Sequence, residues 1–275
     1  MSQLDLALKT SISQRHISFV ESGRAQPSRE MVVKLAEGLD LPLRARNEIL
    51  LAAGYAPLFP ERRLDLTAMK SAREALERIL NHHEPYPAVV TDGAWNIVMQ
   101  NAAAARIVAH CLDEATKLQL ASDSAINFMR LMFAGDGMRP YILNWPETRT
   151  VLLARLLREA IASPASLSEA LRRELADEAA SPKAEAVTRE EPLEPTLPLE
   201  LLIGDVRLRL FNTFTTFGTP QDVTLQELRI DMSFPADEET DRFLAAAAHV
   251  GIAGALKRQK NTNSQVTSGR VGAAG

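Results

Sequence analysis

The sequence predicts an α+β protein, with an all-α N-terminal part followed by a domain built on an antiparallel sheet. Three observations carry that prediction. Ser2, Ser13, Ser28 and Asp40 each precede a short apolar-periodic stretch, at the place of a helix N-cap. Ala88–Thr91 and Trp95–Met99 read as strands around Asp92-Gly93, a strong hairpin signal. Residues 225–234 alternate with period two: Leu228, Ile230, Met232 and Phe234 share one face, and Glu227, Arg229, Asp231 and Ser233 the other. One apolar face per strand implies an antiparallel sheet covered on one side.

The elements follow in order. Pro42 suits the first turn of a helix and Gly54 the position just past its end. Residues 55–65, with Pro57 and Pro60, read as a connector. Leu66–His83 reads as a helix with Ala68, Ala72, Leu76 and Ile79/Leu80 on one face, stopped by Pro85 and Pro87. Asn101 caps a helix through Cys111, and further helices are expected at Ala125–Phe133, Glu147–Ala162 and Leu167–Ala179. Residues 181–198 hold four prolines and four glutamates and read as a loop or insertion. Residues 199–217 read as a strand pair turned at Gly204-Asp205, and a helix at Glu239–Val250 closes the domain. From Leu256 to Gly275 there are four basic groups, no acid and no periodicity, the texture of a disordered tail. The expected division is therefore 1–60, a connector and linking helix at 61–85, an α+β domain at 86–250 and a tail at 251–275.

Composition removes several function classes. The 275 residues are 46% apolar and 24% charged, the balance of an ordinary globular protein. One cysteine, Cys111, excludes a disulfide scaffold and a thiolate-clustered metal site within one chain. No apolar run approaches the ~18 residues of a membrane span, and the opening residues do not form a secretory signal, so the expected place is the cytoplasm with no membrane partner. His82-His83 are adjacent on a helix, point to different sides and lack a third ligand, which reads as a surface pair. His110 and Cys111 are likewise neighbours that do not face each other, and Cys111 reads as a small core residue. Phosphate-loop, dinucleotide and nucleophile-elbow motifs are absent, so no catalytic residue, metal or cofactor is assigned.

The net charge of −4 hides a split. Residues 1–60 carry seven basic and six acidic groups, net +1, which leaves −5 for the rest. Between Lys9 and Lys34 stand five basic and two acidic residues, net +3, either a phosphate footprint or a solvated face. Within residues 2–24, two short helices flank a tight turn at Thr10-Ser11-Ile12. On the second, Ile17 and Val20 fall on one side with Glu21 at its edge, and Gln14, Arg15, Ser18 and Phe19 on the opposite arc. A helix this short must pack through its apolar side. The outward arc then carries residue types that reach base edges in a major groove, with Phe19 suited to a thymine methyl. Gln3, at the start of the preceding helix, suits a phosphate. The alternative is a small helical bundle with a polar surface.

This segment resembles the second and third helices of the XRE (phage-repressor-like) helix-turn-helix domain. Ala25-Gln26-Pro27-Ser28-Arg29-Glu30 and Leu39-Asp40-Leu41-Pro42 fit its fourth and fifth helices. The resemblance implies Gln14, Arg15 and Ser18 as base readers, Gln3 as a phosphate clamp and Arg24 and Arg29 as backbone contacts. Ser13 and Phe19 are counted with this DNA-facing set. Two departures are visible. Ser11 stands where the family usually has glycine, so a positive φ there would cost on the order of 1 kcal/mol. The family's first helix precedes Ser2-Gln3 and is missing from this chain. Leu4, Ala7, Leu8 and Ile17 are therefore expected to lose a packing partner, and Glu21 to lie semi-buried without a counter-charge. Either the true start lies upstream or DNA binding is impaired. The rival reading is a ligand-binding or interaction protein that has lost DNA binding with that helix.

The second part resembles a PAS-like α+β sensor. Asn127-Phe128-Met129-Arg130-Leu131-Met132-Phe133, Asn144-Trp145, Thr215-Thr216-Phe217-Gly218-Thr219-Pro220 and Leu225–Asp237 are similar to the MmyB-like ligand-binding domain. That resemblance implies a transcription regulator holding a small apolar effector, with fatty acids as the ligand type, a double-stranded DNA operator and a homodimer on paired half-sites. On the residues themselves, the candidate pocket is the apolar sheet face. Phe211, Phe214, Phe217, Ile230, Met232 and Phe234 would face Trp95, Val98, Phe128 and Met132, although the same side chains would equally make an ordinary core. Asn144, Arg149 and Thr216 are candidates to anchor a polar head, and Arg149 fits a surface position as well.

Overall fold

A computed structural model describes residues 1–113, 115–116, 126–162 and 197–271, and of residues 157–162, 197 and 262–271 the backbone alone. The expected helix at Leu167–Ala179 and most of the loop at 181–198 lie outside the described residues. The chain forms two compact units. One is Met1–Ala72 with Phe217–Glu227, the other Arg73–Thr216 with Leu228–Gly275.

The first unit contains α1 (Gln3–Thr10), α2 (Gln14–Glu21), α3 (Arg29–Gly38) and α4 (Leu43–Ala52). Three of the four serine and aspartate signals are caps. Ser2 Oγ accepts from the Asp5 amide at 3.1 Å while the Asp5 carboxylate accepts from the Ser2 amide at 3.0 Å, a reciprocal box. Ser13 and Ser28 accept from the amides of His16 and Met31, each at 3.3 Å. Asp40 does not cap α4. It takes φ 53° and pairs with Lys9 at 3.0 Å, and Pro42 holds the cap position without a side-chain bond. Leu6, Ile17, Met31, Val32, Ala36, Leu43 and Leu50 form the buried centre of the bundle. Ser11 takes φ 57° and ψ 28° in the turn between α1 and α2, the left-handed conformation in which any β-carbon is strained. Ser11→Gly is therefore expected to raise the stability of this unit by about 1 kcal/mol, read from its urea midpoint. An unchanged or lower midpoint would show that the turn is not strained.

The second unit begins in α5 (Lys70–His82), which follows a short 3₁₀ turn. Its strands are β1 (Ala88–Thr91), β2 (Ile97–Gln100), β3 (Leu197–Ile203), β4 (Val206–Thr215) and β5 (Arg229–Pro235). They form one antiparallel sheet in the order β2-β1-β5-β4-β3. Its helices are α6 (Ala102–Cys111), α7 (Phe128–Phe133), α8 (Trp145–Ala162) and α9 (Glu238–Val271). Asp92-Gly93 does turn the chain, but the return strand starts at Ile97. Trp95 sits at φ 67°, and the Asp92 carboxylate accepts from the amides of Ala94 and Asn96. Asn101 caps α6 through the Ala104 amide at 3.0 Å.

The register fixes the two faces of the sheet. Leu201 opposes Leu208, Leu199 opposes Leu210, Asn212 opposes Ser233, and Asp231 lies between Phe214 and Val89, all on one face. The other face carries Phe211, Phe234, Met232 and Ile230. There Phe211 and Phe234 stack at 5.3 Å, with the His83 ring edge-on to Phe234 at 4.8 Å. The expectation of a sheet covered on one side is corrected at its centre. β1 is buried at all four positions, and Ile230, Asp231 and Ser233 of β5 are all buried: β5 is the middle strand, helices α6, α7 and α8 cover its Asp231 face, and His83 packs against Phe234 on the other.

The C-terminal stretch also differs from its expectation. α9 breaks at Gly251, with φ 72° and ψ 170°, just past the expected helix, and then continues to Val271. Ile252 and Ala255 are buried and Leu256 packs beside them, an apolar i, i+3, i+4 face that anchors the helix. Lys260 pairs with Asp205 at 2.8 Å.

Candidate functional site

The first site is the outer arc of α2. Ile17 is 2% exposed and pins the helix to the bundle. Gln14 and Arg15 are exposed, and Ser18 and Phe19 are half-buried beside them. The Arg15 guanidinium lies 5.3 Å from the Phe19 ring centroid, which limits its freedom while its donors stay outward. Ser13 is at the N-terminus of the same helix, and Arg24 and Arg29 are exposed beyond it. Gln3 stands at the start of α1, where its Nε2 donates to Glu21 Oε2 at 2.6 Å. Glu21 is accordingly exposed and partnered, not semi-buried. Leu4 and Leu8 are 55% and 75% exposed, whereas Ile17 is packed.

The second site is a cavity of about 80 Å³ in the second unit. Its walls are Val89 of β1, Ala104 and Ile107 of α6, Phe128, Leu131 and Met132 of α7, and Leu152 of α8, with Met138 from the loop between the last two. Leu199, Leu201 and Leu210 close it from the sheet. The polar side chains among the lining residues are Asn212, Asp231 and Ser233. Of the nine residues expected to meet a ligand, Phe128 and Met132 line the cavity. Trp95 is one layer back, 1% exposed, stacked on Phe128 at 6.2 Å. Ile230 and Met232 point to the opposite sheet face, so the strand's apolar face is not the cavity face. Phe214 shares the cavity face of the sheet but lies under Arg155, whose guanidinium is 3.5 Å from its ring centroid. Thr216 is exposed, and Phe217 belongs to the other unit. Asn144 has a structural task. Its Nδ2 donates to the Pro198 carbonyl at 3.0 Å and its Oδ1 accepts from the Glu200 amide at 2.9 Å, holding β3. Arg149 is 7% exposed and therefore not a surface residue.

Asp231 was absent from the expected site because its face read as solvent. It is 6% exposed, and its Oδ1 accepts from Asn212 Nδ2 at 2.9 Å. Burial pushes its carboxyl up to about 7, against the Asn212 bond and the nearby charge of Arg155. A carboxylate in a central strand, where acidic residues are depleted, was the available signal. Other candidate groups are quiet. Burial pushes the Cys111 thiol up to about 12, far from a nucleophile. His83 is not a surface residue, since its Nε2 lies 2.8 Å from the Ser233 carbonyl oxygen between the rings of Tyr86 and Phe234. Among the described residues, no group of three His, Cys, Asp or Glu could hold a metal, and no helix is long and apolar enough to cross a membrane.

A third feature joins the first unit to the cavity strands through the chain itself. Phe217–Glu227 connects β4 to β5 yet is part of the first unit. Arg44 on α4 holds Glu227 through two bonds at 2.7 and 2.9 Å and Glu61 through two at 2.5 and 3.1 Å. Gln226 Oε1 accepts from the Leu43 amide at 2.6 Å, and the Val223 amide donates to the Pro60 carbonyl at 2.9 Å. Buried Asp222 faces Arg62 at 3.6 Å. Glu61 apart, these partners are about 160 to 183 residues distant in sequence, beyond any local pattern.

Comparison with known proteins agrees with this layout. Residues 1–45 match the helix-turn-helix family model. Residues 72–247 match that of the MmyB-like transcription regulator ligand binding domain. No curated protein matches the chain in sequence. Among solved structures, an RNA-binding Light-Oxygen-Voltage receptor aligns at 13% identity and a TM-score of 0.29, over 94% of this chain; the chain spans 57% of that structure's length. Two family models match, the second over more than half of the chain: the chain belongs to the MmyB-like transcription regulator ligand-binding-domain family and carries a helix-turn-helix at its N-terminus.

Proposed function

We propose that α2 reads operator DNA through Gln14 and Arg15, and that an apolar, chain-like small molecule in the cavity, of the fatty-acid body type, controls that binding. The cavity itself carries the reading: an apolar chamber whose β4 and β5 walls run directly into a segment of the DNA-binding unit. At about 80 Å³ it is well below the ~300–1,000 Å³ of a typical small-molecule site, so binding must displace its walls. Met132 and Met138 suit that role, because an unbranched thioether chain re-packs easily. The regulator binds as a homodimer on paired half-sites, since one eight-residue helix offers limited specificity.

The test begins by selecting binding sites from random double-stranded DNA with the full chain. Affinity for the selected site is then measured against salt, together with the mass of the complex. A salt-dependent, sequence-selective dimer complex is expected. Arg15→Ala is expected to weaken it by about 1–3 kcal/mol and to relax the preference at one base position. A uniform loss across all sequences would make Arg15 a phosphate contact, and no selective complex at all would favour the interaction-protein reading. Ala104→Leu, which fills the cavity, is expected to abolish the ligand response while leaving basal DNA affinity within about twofold.

A further inference from the structure

The cavity has one wall unlike the rest. Asn212, Asp231 and Ser233 are neighbours on adjacent strands, with Asn212 directly opposite Ser233 and hydrogen-bonded to Asp231. Asn212 is 6% exposed, and one N–H of its amide donates to the Asp231 carboxylate. Its Oδ1 is buried and accepts no hydrogen bond from the protein. A buried carbonyl oxygen without a donor is rare in folded proteins and points to a group supplied from elsewhere. An amide oxygen and a carboxylate accept hydrogen bonds and do not donate them.

We propose that the effector carries a hydrogen-bond-donating head, an ammonium or a hydroxyl, on its apolar body, received by Asn212 Oδ1 and the Asp231 carboxyl. The inference rests on the cavity being the effector site, and it names the head group that the apolar walls leave open. A carboxylate head would meet two acceptors and, at pH 8, a like charge. The charged group acting on Asp231 is Arg155 of α8, which packs over Phe214 and Trp95. Val89 of β1, Ala104 and Ile107 of α6 and Leu152 of α8 bring no charge to the chamber, and Asn212 and Ser233 are neutral. Because the Asp231 carboxyl titrates near 7, the discrimination has a direction. Above that pH the ionised group favours a donor. Below it, the protonated carboxyl can itself donate, and a carboxylate ligand is tolerated.

Three probes of one chain length decide the matter: octylamine, octan-1-ol and octanoate. Each is titrated into the full chain at pH 8 and pH 6 and followed by calorimetry and by tryptophan fluorescence, read in a Trp145→Phe background so that it reports Trp95, which stacks on a cavity residue. At pH 8, octylamine and octan-1-ol are expected to bind at least tenfold tighter than octanoate, with the gap narrowing several-fold at pH 6. Asn212→Ala is expected to remove most of the advantage of octan-1-ol, and Asp231→Asn most of the further advantage of octylamine. Ala104→Leu, which blocks the chamber, should abolish all three and so separates site binding from attraction of an amine to an acidic protein. Octanoate binding as tightly as the others at pH 8, or Asn212→Ala leaving the ranking intact, would overturn the donor-head assignment while leaving the cavity reading in place. If no probe binds, or Ala104→Leu changes nothing, the cavity reading fails and this inference with it.

Discussion

Asp231→Asn is expected to stabilise the second unit by about 4 kcal/mol at pH 8 and by roughly 1–2 kcal/mol at pH 5. In the fold the carboxyl titrates near 7, and in the unfolded chain near 3.8. Between those values the folded state holds a proton that the unfolded state has lost, so stability falls as pH rises through the window and levels off above it. Holding the group ionised inside the fold therefore costs about 4 kcal/mol at pH 8, at 1.36 kcal/mol for each factor of ten. The substitution removes that cost without removing the local hydrogen bond, because the new side chain's carbonyl oxygen still accepts from Asn212. Urea unfolding of wild type and variant at pH 8, 6 and 5 reads the difference. A gain that does not change with pH would show that Asp231 is already ionised in the fold at pH 5 and that burial does not raise its carboxyl, and a loss at pH 8 would show that its charge is more fully paired than burial implies. A chain that keeps so costly a group beside a cavity has a use for it there, which is why this side chain carries weight in the ligand argument.

Sequence patterns located most elements but misread which side of one strand mattered. Serine caps, the Ser11 turn, Asn101 and Gly204-Asp205 act through residues within a few positions of each other, so their signatures survive in the sequence. The alternation at 228–234 was equally local, and it separated the two faces of β5 correctly. It could not say which face looks into the chamber. That is decided by α6, α7 and α8 covering the Asp231 side, and an inward polar triad inverts the usual rule that polar residues face water. Phe211, Phe234, Ile230 and Met232 consequently belong to the far face, while Phe128 and Met132, read from a helix, line the cavity. The segment Phe217–Glu227 was assigned to the sensor because it lies between two of its strands. Its place in the first unit depends on Arg44, Pro60 and Arg62, more than 150 residues earlier in sequence, and no spacing rule reaches that far. Ile252, Ala255 and Leu256 were overlooked for a simpler reason: an edge drawn after Val250 left the apolar triplet that anchors the last helix in the tail.

Arg44→Ala is expected to sever the response of DNA affinity to ligand while leaving both binding functions in place. Arg44 is the hub of the segment's attachment, with two bonds to Glu227 and two to Glu61. Its own guanidinium is about one-third exposed and Glu227 less so, and Glu227 first and Glu61 second hold its proton more firmly than usual. With allowance for solvent screening, loss of these bonds should destabilise the first unit by roughly 1–3 kcal/mol. The larger effect is on coupling. β4 brings Asn212 to the cavity and β5 brings Asp231 and Ser233, and the chain between these strands is held against α4 of the first unit. A ligand that shifts those strands therefore pulls on a segment of the unit proposed to read DNA. Typical coupling between two sites changes affinity about 5–150-fold, and linkage makes the effect reciprocal. In the variant, DNA affinity with and without ligand should agree within about twofold, and ligand affinity with and without DNA should converge by the same factor. Glu227→Gln should give a partial loss, because it keeps the shape of the contact and removes its charge, whereas Glu61→Gln should do little, since Glu61 lies outside the connecting segment. If Arg44→Ala retains the full ligand response, the signal travels by another route and the attachment of Phe217–Glu227 serves stability alone.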